Sequence, residues 1–91
     1  MVLFMVIERP RNGDVEPVGE RFGRQGRMLP DGVVYQASWV DPSDGRCFQL
    51  MEAPSRELLD GWVRRWEDLV DFEIAPVLTS ADYWARRRGS G

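Results

Sequence analysis

The amino-acid sequence predicts an α+β fold in which a four-stranded antiparallel sheet carries two helices on one of its faces. A long amphipathic helix pattern at residues 55–70 runs directly into an extended segment at residues 71–78, so both need a nearby sheet to pack on. A strong turn sequence at residues 41–45 joins two further strand patterns, as in a hairpin. The first strand pattern, at residues 2–8, is apolar on both sides, which suits the centre of a sheet.

Residues 2–8 predict the first strand and also indicate that a second subunit covers one face of it. They read VLFMVIE, whereas a strand with one solvent-exposed face alternates apolar and polar residues. Helices of so short a chain can cover one face of the sheet but not both. We therefore expect a homodimer formed through the open sheet face; a shielded central strand in a monomer is the alternative.

Residues 14–28 predict the first helix, with Pro17 acceptable in its first turn. Its apolar positions are Val15, Val18 and Phe22. Three glycines lie roughly along one side of it: Gly19, Gly23 and Gly26. Two purposes are open to them: to let the helix approach the sheet or a ligand closely, or to leave a groove. The alternative is that glycines are simply tolerated in a weak helix.

Residues 33–40 and 46–52 predict the second and third strands. Strict alternation in the first of them places Val33, Tyr35, Ala37 and Trp39 on one face. Alternation in the other separates Cys47, Gln49 and Met51 from Phe48, Leu50 and Glu52.

The second helix pattern, at residues 55–70, has Ser55 in position to cap its first turn and Asp60 in position to pair with Arg64. Its apolar stripe consists of Leu58, Leu59, Trp62, Val63, Trp66, Leu69 and Val70. In the strand that follows, Pro76 lacks a backbone donor, which predicts an edge position in the sheet.

The predicted order of elements is strand, helix, strand, strand, helix, strand. A right-handed crossover leaves a gap between the first two strands, and the third strand fills it to give the spatial order 4-1-3-2. This arrangement is the ferredoxin-like βαββαβ sandwich. It takes up residues 1–79, and residues 80–91 are predicted to form a short helical turn and a flexible, arginine-rich tail.

The charge and composition exclude several classes of function. The formal net charge is −3, all twelve basic residues are arginine, and the chain has no histidine. An acidic protein lacks the basic face that nucleic acid requires, and without histidine the usual general base and transition-metal ligand are missing. Cys47 is the only cysteine, which indicates a reducing, cytoplasmic setting, and the apolar residues 1–7 are too short to span a membrane.

Motifs for cofactors and metals are missing from the sequence. It contains no phosphate-binding glycine loop, GxSxG segment or CxxC pair. The acidic pairs Asp41/Asp44 and Asp68/Asp71 are interpreted as turn and cap residues rather than as ligands of Mg²⁺ or Ca²⁺. We therefore expect neither a cofactor nor a metal.

Four aromatic residues are the candidates for a ligand pocket: Tyr35, Trp39, Trp62 and Trp66. Gln49 is the preferred polar partner, and Cys47, Glu52, Glu73 and Arg27 are further polar candidates. The alternative is that the tryptophans of the helix only fill the core. Cys47 in an apolar strand is typical of a buried thiol, and Glu8 or Glu52 either acts as acid or base or is solvated at the rim.

Five stretches of the chain resemble an uncharacterised family of short bacterial proteins, a domain of unknown function, within the dimeric α/β-barrel superfamily. They are LFMVIE, RMLPDGVVY, SWVD, GRCFQLMEA and WVRRWEDLVDFEIAPVLTSAD. The resemblance reaches to about Tyr83 and implies a homodimer with two sheets face to face. The resemblance also implies a cavity between sheet and helices, as in the enzymes of that superfamily. Those enzymes include cofactor-free monooxygenases, isomerases and haem proteins. The resemblance transfers no catalytic residue, and haem chemistry conflicts with the absence of histidine.

Two functions are consistent with these observations. In the first, a small homodimer binds an apolar or aromatic molecule between sheet and helices, as a binding protein or as a cofactor-independent oxygenase, isomerase or cyclase. In the second, the chain is a non-catalytic dimerisation or protein-interaction module. Catalytic residues are not identified by either interpretation.

Overall fold

The computed structural model describes residues 1–89. Its elements follow the order β1 (Val2–Pro10), α1 (Glu16–Gln25), β2 (Val34–Val40), β3 (Cys47–Ala53), α2 (Arg56–Val63), β4 (Val70–Val77) and α3 (Ser80–Gly89), with a 3₁₀ turn at Arg11–Gly13 after β1. Among these residues the helices are all too short or too polar to cross a lipid bilayer.

The strands form one sheet in the order β2-β3-β1-β4, and every neighbouring pair is antiparallel. Counted from the other edge this is 4-1-3-2, which confirms the predicted βαββαβ layout. The apolar strand β1 lies in the interior of the sheet, as predicted, and the strand with Pro76 lies at an edge. A proline is tolerated there because its missing backbone N–H can face solvent instead of a neighbouring strand.

The core lies on the side of the sheet that faces α2. Phe4 of β1 is directly opposite Met51 of β3, and both are buried. Leu59 and Trp62 of α2 are 0% and 1% exposed against them. Ser55 caps α2 as predicted, because its hydroxyl accepts a hydrogen bond from the backbone N–H of Leu58 at 3.4 Å.

The second helix is shorter than predicted. It ends at Val63, and the chain continues to Leu69 in tight turns in which Trp66 N–H donates to the Val63 carbonyl at 3.0 Å. Because tight turns keep a spacing close to helical, Trp66 remains buried although it lies outside the helix. Asp60 pairs with Arg56 at 3.1 Å, and not with Arg64 as expected.

An irregularity in β2 changes which side chains share a face. Tyr35 is paired with Met51 and Ala37 with Leu50, so Gln36 is an extra residue in a β-bulge. Beyond the bulge the alternation shifts by one position. Trp39, expected on the face of Tyr35, therefore points to the open side of the sheet and is 57% exposed, whereas Ser38 joins Tyr35 on the helix side.

The first helix also ends early, at Gln25 rather than near Met28. Gly26 follows it with φ of 67°, and Met28 has φ of 58°, so the backbone there is left-handed and not α-helical. No residue of α1 is buried, and the helix stands away from the sheet.

A third helix replaces most of the predicted tail. Thr79 caps it through a hydrogen bond from the Asp82 N–H to its hydroxyl at 3.0 Å, and the helix extends to Gly89. Residues 86–91 were predicted to be frayed, but residues 86–89 belong to this helix. Residues 90 and 91 lie outside the described part of the chain. None of the residues of α3 is buried, and the molecule is elongated, 49 × 31 × 17 Å.

Candidate functional site

A cavity of about 490 Å³ lies between α1, the β2–β3 hairpin and the helix side of the sheet. It exists because α1 does not close against the sheet: Val15 and Phe22 remain 45% exposed on it. The hairpin turn meets the start of α1, since a Cβ at Gly45 would lie 2.5 Å from a methyl group of Val15. The wall is mostly apolar and includes Val15, Val18, Phe22, Trp62, Trp66 and Val70.

Two tryptophans fix the segment that follows α1. The indole N–H of Trp62 donates to the backbone carbonyl of Arg27 at 2.9 Å, and that of Trp66 donates to the same oxygen at 3.0 Å. Both rings belong to the core and also border the cavity. Arg27 is thereby held with its side chain at the cavity.

The guanidinium of Arg27 lies between aromatic rings. It is 3.6 Å from the ring centre of Tyr35 and 5.1 Å from that of Phe22, a cation–π arrangement. Its Nη2 lies 3.5 Å from the hydroxyl oxygen of Ser38, which is 2.7 Å from the Tyr35 hydroxyl. These contacts place a fixed positive charge at an otherwise apolar wall.

Gln49 connects this charge to a carboxyl group. It is the buried polar residue of the core, only 4% exposed, and its side-chain oxygen accepts from Arg27 Nε at 3.3 Å. Its side-chain NH₂ group then points at Glu8 and donates to one carboxyl oxygen. The three side chains form a continuous chain of hydrogen bonds on the floor of the cavity.

The proton affinity of Glu8 is set by its surroundings. Burial raises its pKa from 4.5 to about 7, against the opposing effects of the Gln49 hydrogen bond and the Arg27 charge. Near neutral pH this carboxyl group is therefore divided between its protonated and ionised forms. Few side chains other than histidine are divided in this way, and the chain has no histidine.

Cys47 lies opposite Glu8 on the neighbouring strand and also borders the cavity. Burial, assisted by the charge of Glu8, raises the pKa of its thiol to about 11. A thiol in that state is protonated at neutral pH and is a poor nucleophile. This agrees with the interpretation of Cys47 as a small apolar residue of the strand.

The candidate residues chosen from the sequence separate into three groups. Gln49, Trp62 and Trp66 border the cavity, and Tyr35 lies directly behind Arg27. Trp39 does not reach the cavity, because the bulge turns it to the open face of the sheet.

Glu52 and Glu73, considered as polar partners, also lie on the open face, opposite Val34 and Ile7 respectively. Ser38 was not expected at the site, since no feature of the sequence marks the bulge that brings it there. Arg27 and Glu8 were among the residues considered, but their connection through Gln49 depends on strand register.

The acidic pairs considered as metal ligands are instead paired with arginine. Asp41 and Asp44 both contact Arg46, Asp68 receives two hydrogen bonds from Arg21 at 2.7 Å, and Asp71 lies 3.2 Å from Arg11. Within residues 1–89 no three acidic or cysteine side chains are grouped as a metal site would require.

A family model described as a domain of unknown function, DUF3303, matches residues 2–88. No curated protein and no solved structure matches the chain.

Proposed function

The chain belongs to the family of the domain of unknown function DUF3303, and from that premise we propose that it is a homodimeric protein that binds a small apolar or aromatic molecule between α1 and the sheet. One observation carries the proposal. The hydrogen-bonded chain of Arg27, Gln49 and Glu8 ends at an apolar cavity of about 490 Å³. Natural small-molecule sites combine an apolar wall with a few convergent polar groups in this way, at volumes of roughly 300–1,000 Å³.

The polar chain supports binding over simple packing. Gln49 and the carboxyl group of Glu8 are withdrawn from solvent, and burial of such groups costs free energy unless their partners are complete. A core that needed only stability would be better filled by apolar side chains at these positions. A polar chain beside empty apolar volume supports a site that recognises a ligand with one polar group.

The open face of the sheet supports the homodimer. By register and alternation this face carries Leu3, Met5, Ile7, Val34, Ala37, Trp39, Phe48, Leu50, Ala75 and Val77. Glu52 and Glu73 also lie on this face, but ten apolar residues on one open sheet face are uncommon in a monomeric protein. In our proposal a second copy covers this surface, with the two sheets face to face as in a dimeric α/β barrel. We also place the protein in the cytoplasm, since its one cysteine is free.

The indole N–H signals provide a direct test of ligand binding. Trp62 and Trp66 donate to Arg27 at the cavity, whereas Trp39 and Trp84 are 57% and 54% exposed elsewhere. On titration of ¹⁵N-labelled protein with 2-naphthol, we expect the Trp62 and Trp66 signals to shift and saturate. A Val18→Trp variant, which fills the cavity, should abolish these shifts.

Shifts confined to Trp39 and Trp84 would contradict the proposal. The absence of any shift, in a protein that still dimerises, would favour the second candidate function, a non-catalytic interaction module. The apolar open face is the observation that favours this second function.

A further inference from the structure

We propose that Glu8 transfers protons in this cavity, acting on a small apolar molecule that has an acidic C–H group next to a carbonyl or C=N bond. The inference rests on the proposed function, because it assigns a substrate class to the same cavity. It adds a reaction: removal of a proton from carbon and its return to the same or another carbon atom. Such a reaction consumes no cofactor.

The position of Glu8 suits a base. It lies near the end of the interior strand β1, with Cys47 opposite it on β3 and Phe72 opposite it on β4, and its side chain borders the cavity. The Gln49 amide occupies one carboxyl oxygen and fixes the plane of the group. A desolvated carboxylate is a stronger base toward carbon than a hydrated one, because no water shell has to be displaced from it.

The charge that develops during such a step also has a partner. Beside a carbonyl, the electron pair of the broken C–H bond forms a new C=C bond and the carbonyl π pair moves to oxygen. At a C=N carbon whose nitrogen carries oxygen, the C–H pair forms a C≡N bond, the N–O bond breaks and its pair leaves on that oxygen. Arg27 and Ser38 lie at the cavity wall, where a cation and a hydroxyl group can stabilise that oxygen. Glu8 and Arg27 are separated by Gln49, so they do not neutralise each other by direct contact.

The charged and titratable groups around Glu8 keep it available near neutral pH. Arg27 lowers its pKa, and Cys47 faces it as a protonated thiol. Asp41 borders the same cavity and is paired with Arg46. Since the chain has no histidine, a rate that follows a pKa of about 7 would point to Glu8.

The probe for the test is 5-nitrobenzisoxazole, a neutral aromatic molecule with one acidic C–H bond. A carboxylate removes the proton at C3, the C–H electron pair completes a nitrile, and the N–O bond breaks to give a coloured 2-cyano-4-nitrophenolate. No oxidant, reductant or second substrate takes part. Proton transfer by a positioned group contributes about 100-fold or more.

We expect the wild-type protein to accelerate this reaction with a rate that rises with pH around 7. Glu8→Gln keeps the shape of the side chain but should lower the rate about 100-fold and remove the pH dependence. Glu8→Asp, which keeps a carboxylate, should retain part of the rate. Glu57→Gln, an exposed residue at the start of α2, removes the same charge and should leave the rate unchanged.

The indole N–H signals, recorded with the same probe, separate the two proposals. Shifts of Trp62 and Trp66 without acceleration, or with equal rates in wild type and Glu8→Gln, would overturn the role of Glu8 and leave ligand binding intact. No shift of either signal would overturn the binding function itself. If Glu8→Gln fails to fold, the comparison of wild type with Glu8→Asp, including their pH profiles, decides the question.

Discussion

At the scale of single residues, the protonation of Glu8 couples the site to folding. The folded chain holds a proton on this carboxyl up to a pKa of about 7, whereas the ordinary value is 4.5. Between these two pH values the folded state binds more protons than the unfolded state. Stability must then fall as the pH rises through this interval.

We therefore predict that the free energy of unfolding decreases by up to about 3 kcal/mol between pH 4.5 and pH 7, and then levels off as far as Glu8 is concerned. Urea denaturation at fixed protein concentration measures it. Glu8→Gln should flatten the curve and be more stable than wild type at pH 8, while Glu57→Gln should follow wild type. Equal slopes in wild type and Glu8→Gln would show that Glu8 has an ordinary pKa.

Two carboxyl groups with lowered pKa values act outside this interval. The hydrogen bonds of Ser43 lower the pKa of Asp41, and the hydrogen bonds of Arg21 lower the pKa of Asp68. Groups of this kind contribute stability that is lost only as the pH falls through their lowered values. Their effect lies on the acid side of the Glu8 interval and has the opposite slope.

Residue types and periodicity predicted some of the residues that border the cavity. Gln49, Trp62 and Trp66 follow from alternation and helical spacing, because those patterns fix which face a side chain takes. Strict alternation places Trp39 on the face of Tyr35 and Ser38 on the opposite face. The structure has them the other way round, because the bulge leaves no mark in the amino-acid composition. The Arg27–Gln49–Glu8 chain joins a loop and two strands far apart in sequence, and pairing of that kind depends on register.

At the scale of elements, α1 is the weak part of the fold. Gly19 and Gly23 lie in its interior, and a Cβ added to either would meet nothing within 4 Å. Gly26 also has space, but its φ of 67° belongs to the left-handed region that ends the helix. Gly19 and Gly23 are exposed, so the space beside them fits glycines tolerated in a weak helix as well as a groove.

We predict that Gly23→Ala stabilises the protein by about 0.5–1 kcal/mol, because it reduces the entropy of the unfolded chain and favours helix. Gly26→Ala, a matched change three residues away, should destabilise it by about 1 kcal/mol, the cost of a left-handed side-chain residue. Thermal or urea denaturation of both variants provides the comparison. Stabilisation by Gly26→Ala would show that the helix continues to Met28 in solution.

The strands were predicted more accurately than the helices. The apolar run at residues 2–8, Pro76 and the turn at residues 41–45 are local signals for the centre, an edge and a hairpin of the sheet, and the right-handed crossover gives the strand order. Helix ends depend on backbone angles that several residue types can adopt, as the positive φ of Met28 shows. The end of α2 at Val63 has no equivalent signal, since the apolar spacing continues through the turns that follow.

At the scale of the whole molecule, the shape is wider than one compact domain requires. The radius of gyration is 14.8 Å, compared with about 12 Å for a compact chain of this length. The helix α3 extends from β4 with Tyr83 and Trp84 exposed, and the sheet leaves its second face open. The open sheet face is the surface that a second copy covers in our proposal, and α3 lengthens the molecule outside that interface.

We predict that the protein sediments at twice its chain mass at micromolar concentration. Leu50→Glu places a charge in the centre of the open face and should convert the dimer to a folded monomer, as measured by sedimentation and circular dichroism. Trp84→Glu on α3 should leave the dimer intact. If Trp84→Glu dissociates it and Leu50→Glu does not, the interface lies on α3 and the face-to-face arrangement is wrong.

One extra amino acid, Gln36, sets the parity of every position after it in β2. If Gln36 instead occupied an ordinary place in the ladder, strict alternation would turn Trp39 inward and Ser38 outward. The hollow beneath α1 would then be plugged by an indole, and the hydroxyl beside Arg27 would be lost. The bulge in one edge strand, rather than the chemistry of any one of its residues, thus determines whether the space beneath α1 stays open.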